Sequence, residues 1–268
     1  MYAQILPKYG DIVTATRWAA AVVAVAAASM LVGAGSAQAA TKTVSAKTVS
    51  AKTVAVKTVA VNISETFSKV TNGTYTDGGT FSGTDRWNVN FAGYGAVKTV
   101  RQAPSFTQLT PQVSTGGQTH AALVTSQKVL TAPCTTINAR LRTATQLRTG
   151  ATPNPWETAW LVWDFVDNDH FTYLAAKPNG WELGKRDPAY PGGQRFLATG
   201  PTTTAIGSWV NTTVVRKAGT NSATLTVSLN GKQVGTVTDM ERPYTSGKLG
   251  MYTEDAQAEF DTIKTSTC

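Results

Sequence analysis

The residues able to do chemistry are concentrated between Trp156 and Phe196. That stretch holds four of the seven tryptophans, Trp156, Trp160, Trp163 and Trp181. Among them stand His170, Tyr173, Lys177, Lys185, Tyr190, Gln194 and Arg195, with the carboxylates Glu157, Asp164 and Glu182. Eliminating across a uronate sugar takes a base, often His or Tyr, and a cation or amide that neutralises the carboxylate. His170, Tyr190, Arg195, Glu182 and Lys185 are therefore the candidate catalytic set, for β-elimination of an acidic polysaccharide. Sugars present apolar C–H faces and hydroxyl rims, which suit aromatic plates flanked by polar groups. On that ground Glu157, Trp160, Asp164, Tyr173, Lys177 and Gln194 are the candidate substrate contacts. Two other readings compete. Hydrolysis of a glycosidic bond takes two carboxylates, drawn from Glu157, Asp164, Glu182, Glu254 and Asp255. Aromatic plates without a paired acid and base would bind a glycan and leave it intact.

Other chemistries lack their signatures. No Gly-x-Ser-x-Gly elbow, P-loop or Rossmann fingerprint is present, so esterase and nucleotide chemistry are not expected, and nucleic acid is not an expected partner. No Cys/His spacing suits zinc. His120, in Gln118-Thr119-His120, is read as a strand residue. Asp164-x-x-Asp167-x-Asp169 departs from the EF-hand pattern and is read as a polar hairpin turn.

These side chains must be positioned by strands. Short runs rich in Val, Ile, Thr and aromatics alternate with Gly, Asn, Asp and Pro clusters, and no stretch keeps a helical period. Strands are expected at 64–69, 87–91, 96–102, 121–130, 137–147, 157–166, 170–177, 181–186, 208–217, 223–230, 233–238, 247–252 and 257–265. Asn72-Gly73, Asn179-Gly180 and Asn230-Gly231 are hairpin signals. Many short strands at this spacing imply an all-β, two-sheet antiparallel β-sandwich. Along 157–166, alternation puts Ala159, Leu161, Trp163 and Phe165 on a core face and Thr158, Trp160, Val162 and Asp164 on an open one. Trp209 is read as core filler. The segment Lys185–Arg195, with two prolines and two glycines, is read as a loop over a groove.

The N-terminal part differs. Lys8 and Arg17 precede an apolar run from Trp18 to Gly35, and Ser36-Ala37-Gln38-Ala39 supplies small residues at a cleavage site. Residues 1–39 therefore read as a secretory signal peptide, and a secreted, extracellular protein is expected. Residues 40–61 carry a five-residue repeat with Lys42, Lys47, Lys52 and Lys57, which reads as a basic linker able to touch a cell wall. The domain is expected over 62–268, as a monomer. The chain has a formal charge of +8; without the leader it keeps 22 basic and 15 acidic residues, a balance suited to acidic glycans, anionic cell walls or lipid headgroups. Cys134 and Cys268 are the only cysteines, and in an exported chain such a pair suggests a disulfide.

The C-terminal half resembles a known superfamily. Ile206-Gly-Ser-Trp-Val-Asn-Thr-Thr-Val, Leu225-Thr-Val-Ser-Leu-Asn-Gly-Lys, Gly247-Lys-Leu-Gly-Met-Tyr-Thr-Glu and Ala258-Glu-Phe-Asp-Thr-Ile are similar to the closing strands of concanavalin A-like jelly rolls. That superfamily includes laminin-G-like, 3-keto-glycoside hydrolase-like and polysaccharide lyase-like domains. The resemblance covers residues 120 to 265 well and 62 to 119 loosely. It implies a jelly roll that binds or cleaves polysaccharide. It also implies a structural calcium where the first and last strands meet, at Glu65 and Asp261, although Thr66-Phe67 stands where the family has an Asp-Phe pair. The laminarinase-type Glu-x-Asp-x-x-Glu run is absent.

Overall fold

The computed structural model describes residues 61–268. The expected signal peptide, and the linker but for Val61, lie outside the described residues. In chain order the strands are β1 (Ser64–Glu65), β2 (Gly73–Tyr75), β3 (Thr80–Ser82), β4 (Arg86–Phe91), β5 (Ala96–Val100), β6 (Phe106–Thr110), β7 (Ala121–Leu130), β8 (Cys134–Gln146) and β9 (Ala159–Asp167). They continue as β10 (His170–Lys177), β11 (Gly180–Arg186), β12 (Gln194–Gly200), β13 (Val210–Ala218), β14 (Ala223–Leu229), β15 (Lys232–Asp239), β16 (Gly247–Glu254) and β17 (Ala256–Thr267). One sheet runs β15-β14-β13-β8-β17-β6-β5-β2, with β1 also on β17; the second runs β12-β11-β10-β9-β16-β7-β4-β3. Pairing between these strands is antiparallel. The expected two-sheet jelly-roll sandwich is what the chain builds.

Alternation explains the first sheet. In β14, Leu225, Val227 and Leu229 are buried while Thr224, Thr226 and Ser228 are half-buried on the opposite face. Strand β13 repeats the pattern with Val210, Thr212, Val214 and Arg216 inward. The hairpin between β14 and β15 turns on Asn230 and Gly231, at φ 48° and 80°, the positive angles that an Asn-Gly turn supplies. The β10–β11 hairpin forms where Asn179-Gly180 signals one, but it turns on Pro178 and Asn179, with Lys177 paired to Gly180 at the start of β11. Asn72-Gly73 does not make a hairpin: Gly73 opens β2, which pairs with β5. Inward side chains of both sheets form one core, including Trp87, Leu109, Ile137, Trp163, Leu174, Val214 and Phe260. Each large apolar side chain buried there stabilises the fold by about 1.5–3 kcal/mol. The expected disulfide joins Cys134, at the start of β8, to Cys268, with Cα atoms 5.4 Å apart.

The second sheet departs from simple alternation. Strands β9 and β10 are buried on both faces over most of their length. Asp164 corrects the expected parity of β9. It holds φ 50°, a left-handed conformation, and the register on β16 shifts beside it. Its side chain turns inward to the buried Arg216, with Oδ1 3.6 Å from Nε, and Phe165 goes to the outer face instead. Gly247 lies against this kink, where a Cβ would stand 2.2 Å from the Asp164 carbonyl carbon.

Candidate functional site

The outer face of the second sheet carries its own apolar cluster: Leu123, Trp160, Val162, Phe165, Phe171, Tyr173, Ala175 and Tyr252, with Trp156 and Phe91 at its margin. The backbone register explains it. Ala175, Trp160, Tyr252 and Leu123 are direct cross-strand neighbours on β10, β9, β16 and β7. Trp160 stacks on Tyr173 at 4.5 Å and meets Tyr252 at 5.0 Å. Its indole N–H donates to the Trp156 carbonyl at 2.9 Å. The tryptophan expected as an open plate is thus on the expected face, but it is 4% exposed and its ring is engaged by tyrosines. Trp163 and Trp181 belong to the core between the sheets.

Carboxyl groups edge this cluster. The Tyr173 hydroxyl donates to Glu182 Oε1 at 2.8 Å, and Lys177 Nζ reaches Glu182 Oε2 at 2.6 Å. The Gln194 amide donates to the Tyr173 oxygen. The structure therefore brings Trp160, Tyr173, Lys177, Glu182 and Gln194 together. A second pair joins Glu254, one of the carboxylates considered for hydrolysis, to a tyrosine the sequence did not single out: the Tyr252 hydroxyl donates to Glu254 Oε1 at 2.6 Å. Tyr252 and Glu254 are two apart on β16, so strand parity was the available signal. Burial pushes Glu254 up to about 7, with the charges of Asp255 and Glu157 adding to the effect and the Tyr252 hydrogen bond and Arg186 opposing it. Burial and the adjoining carboxylates raise Tyr173 and Tyr252 well above the ordinary phenol range. Both phenols are thus neutral hydrogen-bond donors at physiological pH.

The remaining predicted catalytic residues gather beside this face, around the loops that follow β11 and β15. Lys185 is buried; its Nζ meets Asp239 Oδ2 at 2.7 Å and the Arg242 carbonyl at 3.0 Å, and also the Glu241 carbonyl. Its three N–H groups are thereby occupied. The same ammonium lies 5.5 Å from the ring centroids of Tyr190 and of Tyr244. Arg195 and Arg242 stack on Tyr190 at 5.3 and 4.7 Å. His170 is held by Asp167 at 2.7 Å and lies edge-on to Tyr244 at 6.2 Å. Tyr244 and Arg242 had no signal beyond lying in a loop.

Glu157 belongs elsewhere, to a buried network on Arg148. Arg148 Nε is 2.6 Å from Glu157 Oε1 and its Nη2 is 2.5 Å from Asp255 Oδ2. Ser114 Oγ donates to Asp255 and lies 3.0 Å from His120 Nδ1. Serine catalysis places the imidazole between the hydroxyl and the carboxylate; here the hydroxyl is in the middle, so the arrangement is not that of an activated nucleophile.

Glu65 and Asp261 do not fit a calcium site. Glu65 is fully buried, and its oxygens accept the backbone N–H groups of Thr66, Phe67 and Asp85 at 2.7–3.0 Å and the Trp87 indole N–H at 3.3 Å. Asp261 is bound by Arg140 and Thr262. Calcium takes six to eight oxygen ligands, and among the described residues no group of three His, Cys, Asp or Glu is placed to hold a metal.

No family model matches the sequence, and no curated protein does. Solved structures do. The carbohydrate-binding module CBM66 from Bacillus subtilis aligns over 67% of this chain and 95% of its own, at 13% identity and TM-score 0.47. Peanut lectin with a nine-residue peptide aligns over 74% and 97%, at 10% identity and TM-score 0.46. A legume lectin-like domain from Entamoeba histolytica aligns over 61% and 84%, at 8% identity and TM-score 0.42. Likeness at this level says nothing of what this chain binds; its fold rests on its own strand order.

Proposed function

We propose that the chain is an exported glycan-binding protein, with residues 62–268 as the binding domain behind a signal peptide and a basic linker. The glycan lies along the outer face of the second sheet. One observation carries this reading: that face has an aromatic cluster edged by tyrosine–carboxyl pairs, with half-buried polar side chains at its margin. Aromatic edges with fixed donors and acceptors suit pyranose rings. Trp156, half-buried at the margin, and Lys177 and Gln194 on the other side are the accessible contacts. The disulfide supports an oxidising compartment.

Binding without cleavage is favoured over β-elimination. Elimination takes a base with a free lone pair; Lys185 is saturated and Tyr173 is held protonated by burial, which leaves His170, tied to Asp167, and Tyr190, under two arginines, away from the aromatic cluster as the bases it would have to use. Hydrolysis is the second reading, because Glu254 near 7 and Glu182 beside an ammonium form two carboxyl groups in unlike environments.

Affinity electrophoresis in gels containing soluble neutral or acidic polysaccharides tests the proposal. Retardation by at least one polymer is expected, with affinity about tenfold lower in Trp156→Ala and Lys177→Met, a loss of about 1.4 kcal/mol. Unretarded migration in every gel, or unchanged retardation of both folded variants, would overturn it. New reducing ends lost in Glu254→Gln would establish hydrolysis, and ultraviolet absorbance of an unsaturated uronate would establish elimination.

A further inference from the structure

The outer face of the first sheet is independent of that reading, and it carries a charge the rest of the fold does not. Residues 61–268 contain 18 Lys and Arg against 15 Asp and Glu, an excess of three. On this face stand Lys98, Arg140, Arg142, Lys217 and Lys264, opposed by Glu259 and Asp261. Five against two is again an excess of three, so one face accounts for the whole net charge of the folded part.

The centre of the face is ordered. Arg140 and Arg142, two apart on β8, point the same way and stack on Trp209 at 4.6 and 4.8 Å. Trp209 is thus no core filler, as the sequence suggested; it is half-buried outside the sheet and fixes two guanidinium groups. Arg140 engages Asp261 through Nη1, and Arg142 engages Glu259 through Nε at 2.5 Å. Both side chains keep solvent access, at 39% and 30% exposed. Lys264 is one register step away, opposite Asn138, whose amide oxygen accepts from Thr213 at 2.8 Å.

We propose that this face binds the carboxylated chain of an acidic polysaccharide. Guanidinium groups held at fixed spacing take carboxylates in paired hydrogen bonds, and the neighbouring Asn and Thr side chains offer donors and acceptors to sugar hydroxyls. Nucleic acid is a poorer fit, since the one indole here is occupied by arginines instead of being open to a base. A bilayer is also a poorer fit, since the exposed strand positions here are polar, Lys98, Asn138, Asn211, Lys217, Lys264 and Ser266 among them, and none of the exposed large apolar side chains lies on these strands.

The test uses the full chain with polygalacturonate and its fully methyl-esterified form, which keeps the backbone and removes the charge. Wild type is expected to bind the charged polymer, more weakly as salt rises, and to bind the ester at least tenfold less tightly. The triple variant Arg140→Gln, Arg142→Gln, Lys264→Gln is expected to lose about ten- to a hundredfold in affinity at low salt. A control that removes the same charge elsewhere, Lys69→Gln, Arg86→Gln, Lys232→Gln, is expected to change it less than about twofold. Equal losses in the two triple variants, no loss in the first, or equal binding of the ester would overturn the proposal. So would tighter binding of a DNA duplex or of anionic lipid vesicles at the same salt. Loss confined to Trp156→Ala and Lys177→Met would move the acidic ligand to the second sheet and overturn this site while leaving the other reading intact.

Discussion

Replacing Glu254 by Gln is expected to stabilise the protein at pH 8 and to change little at pH 4. Burial holds this carboxyl at about 7 instead of 4.5. At about 1.4 kcal/mol per pH unit, that gap corresponds to roughly 3 kcal/mol. The folded state binds this proton more tightly than the unfolded chain does. The stability it contributes is therefore complete below pH 4.5 and is lost as pH rises towards 7. Gln is neutral throughout and keeps an amide oxygen to accept from Tyr252. The stability difference between variant and wild type should thus start near zero and grow to roughly 3 kcal/mol at pH 8. Asp164, pushed up to about 7 mainly by its burial, with Arg216 opposing, titrates in both proteins and cancels from the difference. Urea unfolding followed by tryptophan fluorescence at pH 4, 6 and 8 gives both curves. A difference independent of pH, or a variant less stable at pH 8, would refute the account of Glu254 as a buried, proton-holding acid.

The other expectations concern the sandwich. Glu65→Gln should cost about 2–4 kcal/mol by urea unfolding, because an amide nitrogen cannot accept the N–H groups that Glu65 satisfies; millimolar calcium or a chelator should leave the wild-type melting temperature unchanged, and a shift of several degrees would contradict the assignment. Arg216→Ala should cost about 3–5 kcal/mol by leaving Asp164 without a counter-charge, and adding Asp164→Leu should recover part of the loss. Cys134→Ser with Cys268→Ser should lower stability by about 2–5 kcal/mol, since the bridge spans 134 residues; equal melting of the two proteins would count against that.

Much of the sandwich was legible in the sequence because alternation survives wherever one face meets water. Strands β7, β10 and β14 were expected within a residue of where they lie, and Asn230-Gly231 marks its hairpin. Phe106–Thr110, five residues flanked by Pro104 and Pro111, is missed by the sequence pattern, and so are three other strands, for physical reasons. Gly73–Tyr75 and Thr80–Ser82 are three residues long and gain their order from β5 and β4, not from their own pattern. Gln194–Gly200 follows a Pro-Gly-Gly turn whose breakers read as a loop through Arg195, yet it pairs with β11 along its length. Asp164 is the instructive case at the site. An Asp at positive φ in the middle of a strand, with no turn residues beside it, has no sequence signature, and that one angle moves a carboxylate from the predicted groove to an ion pair between the sheets.

What alternation could not convey is which sheet face acquires a second use. The stretch His170–Lys177 reads as a buried strand whether its outer side chains are covered by protein or line a site. Pairing distinguishes the two. Tyr173 and Tyr252 do not merely pack; each delivers a hydroxyl to a carboxyl, so polar atoms are retained at an apolar surface and are already oriented. Through Glu182 and Tyr173 the half-buried Lys177 and Gln194 are held in place before a ligand arrives, which spares the ordering cost that binding otherwise incurs, about 0.5–1.5 kcal/mol per side chain. The first sheet reaches the same end by other means, with Trp209 immobilising two arginines that would otherwise sample many rotamers. Each face thus uses aromatic rings to fix polar groups, one around carboxyls and one around guanidinium groups, and the two should select ligands of different charge.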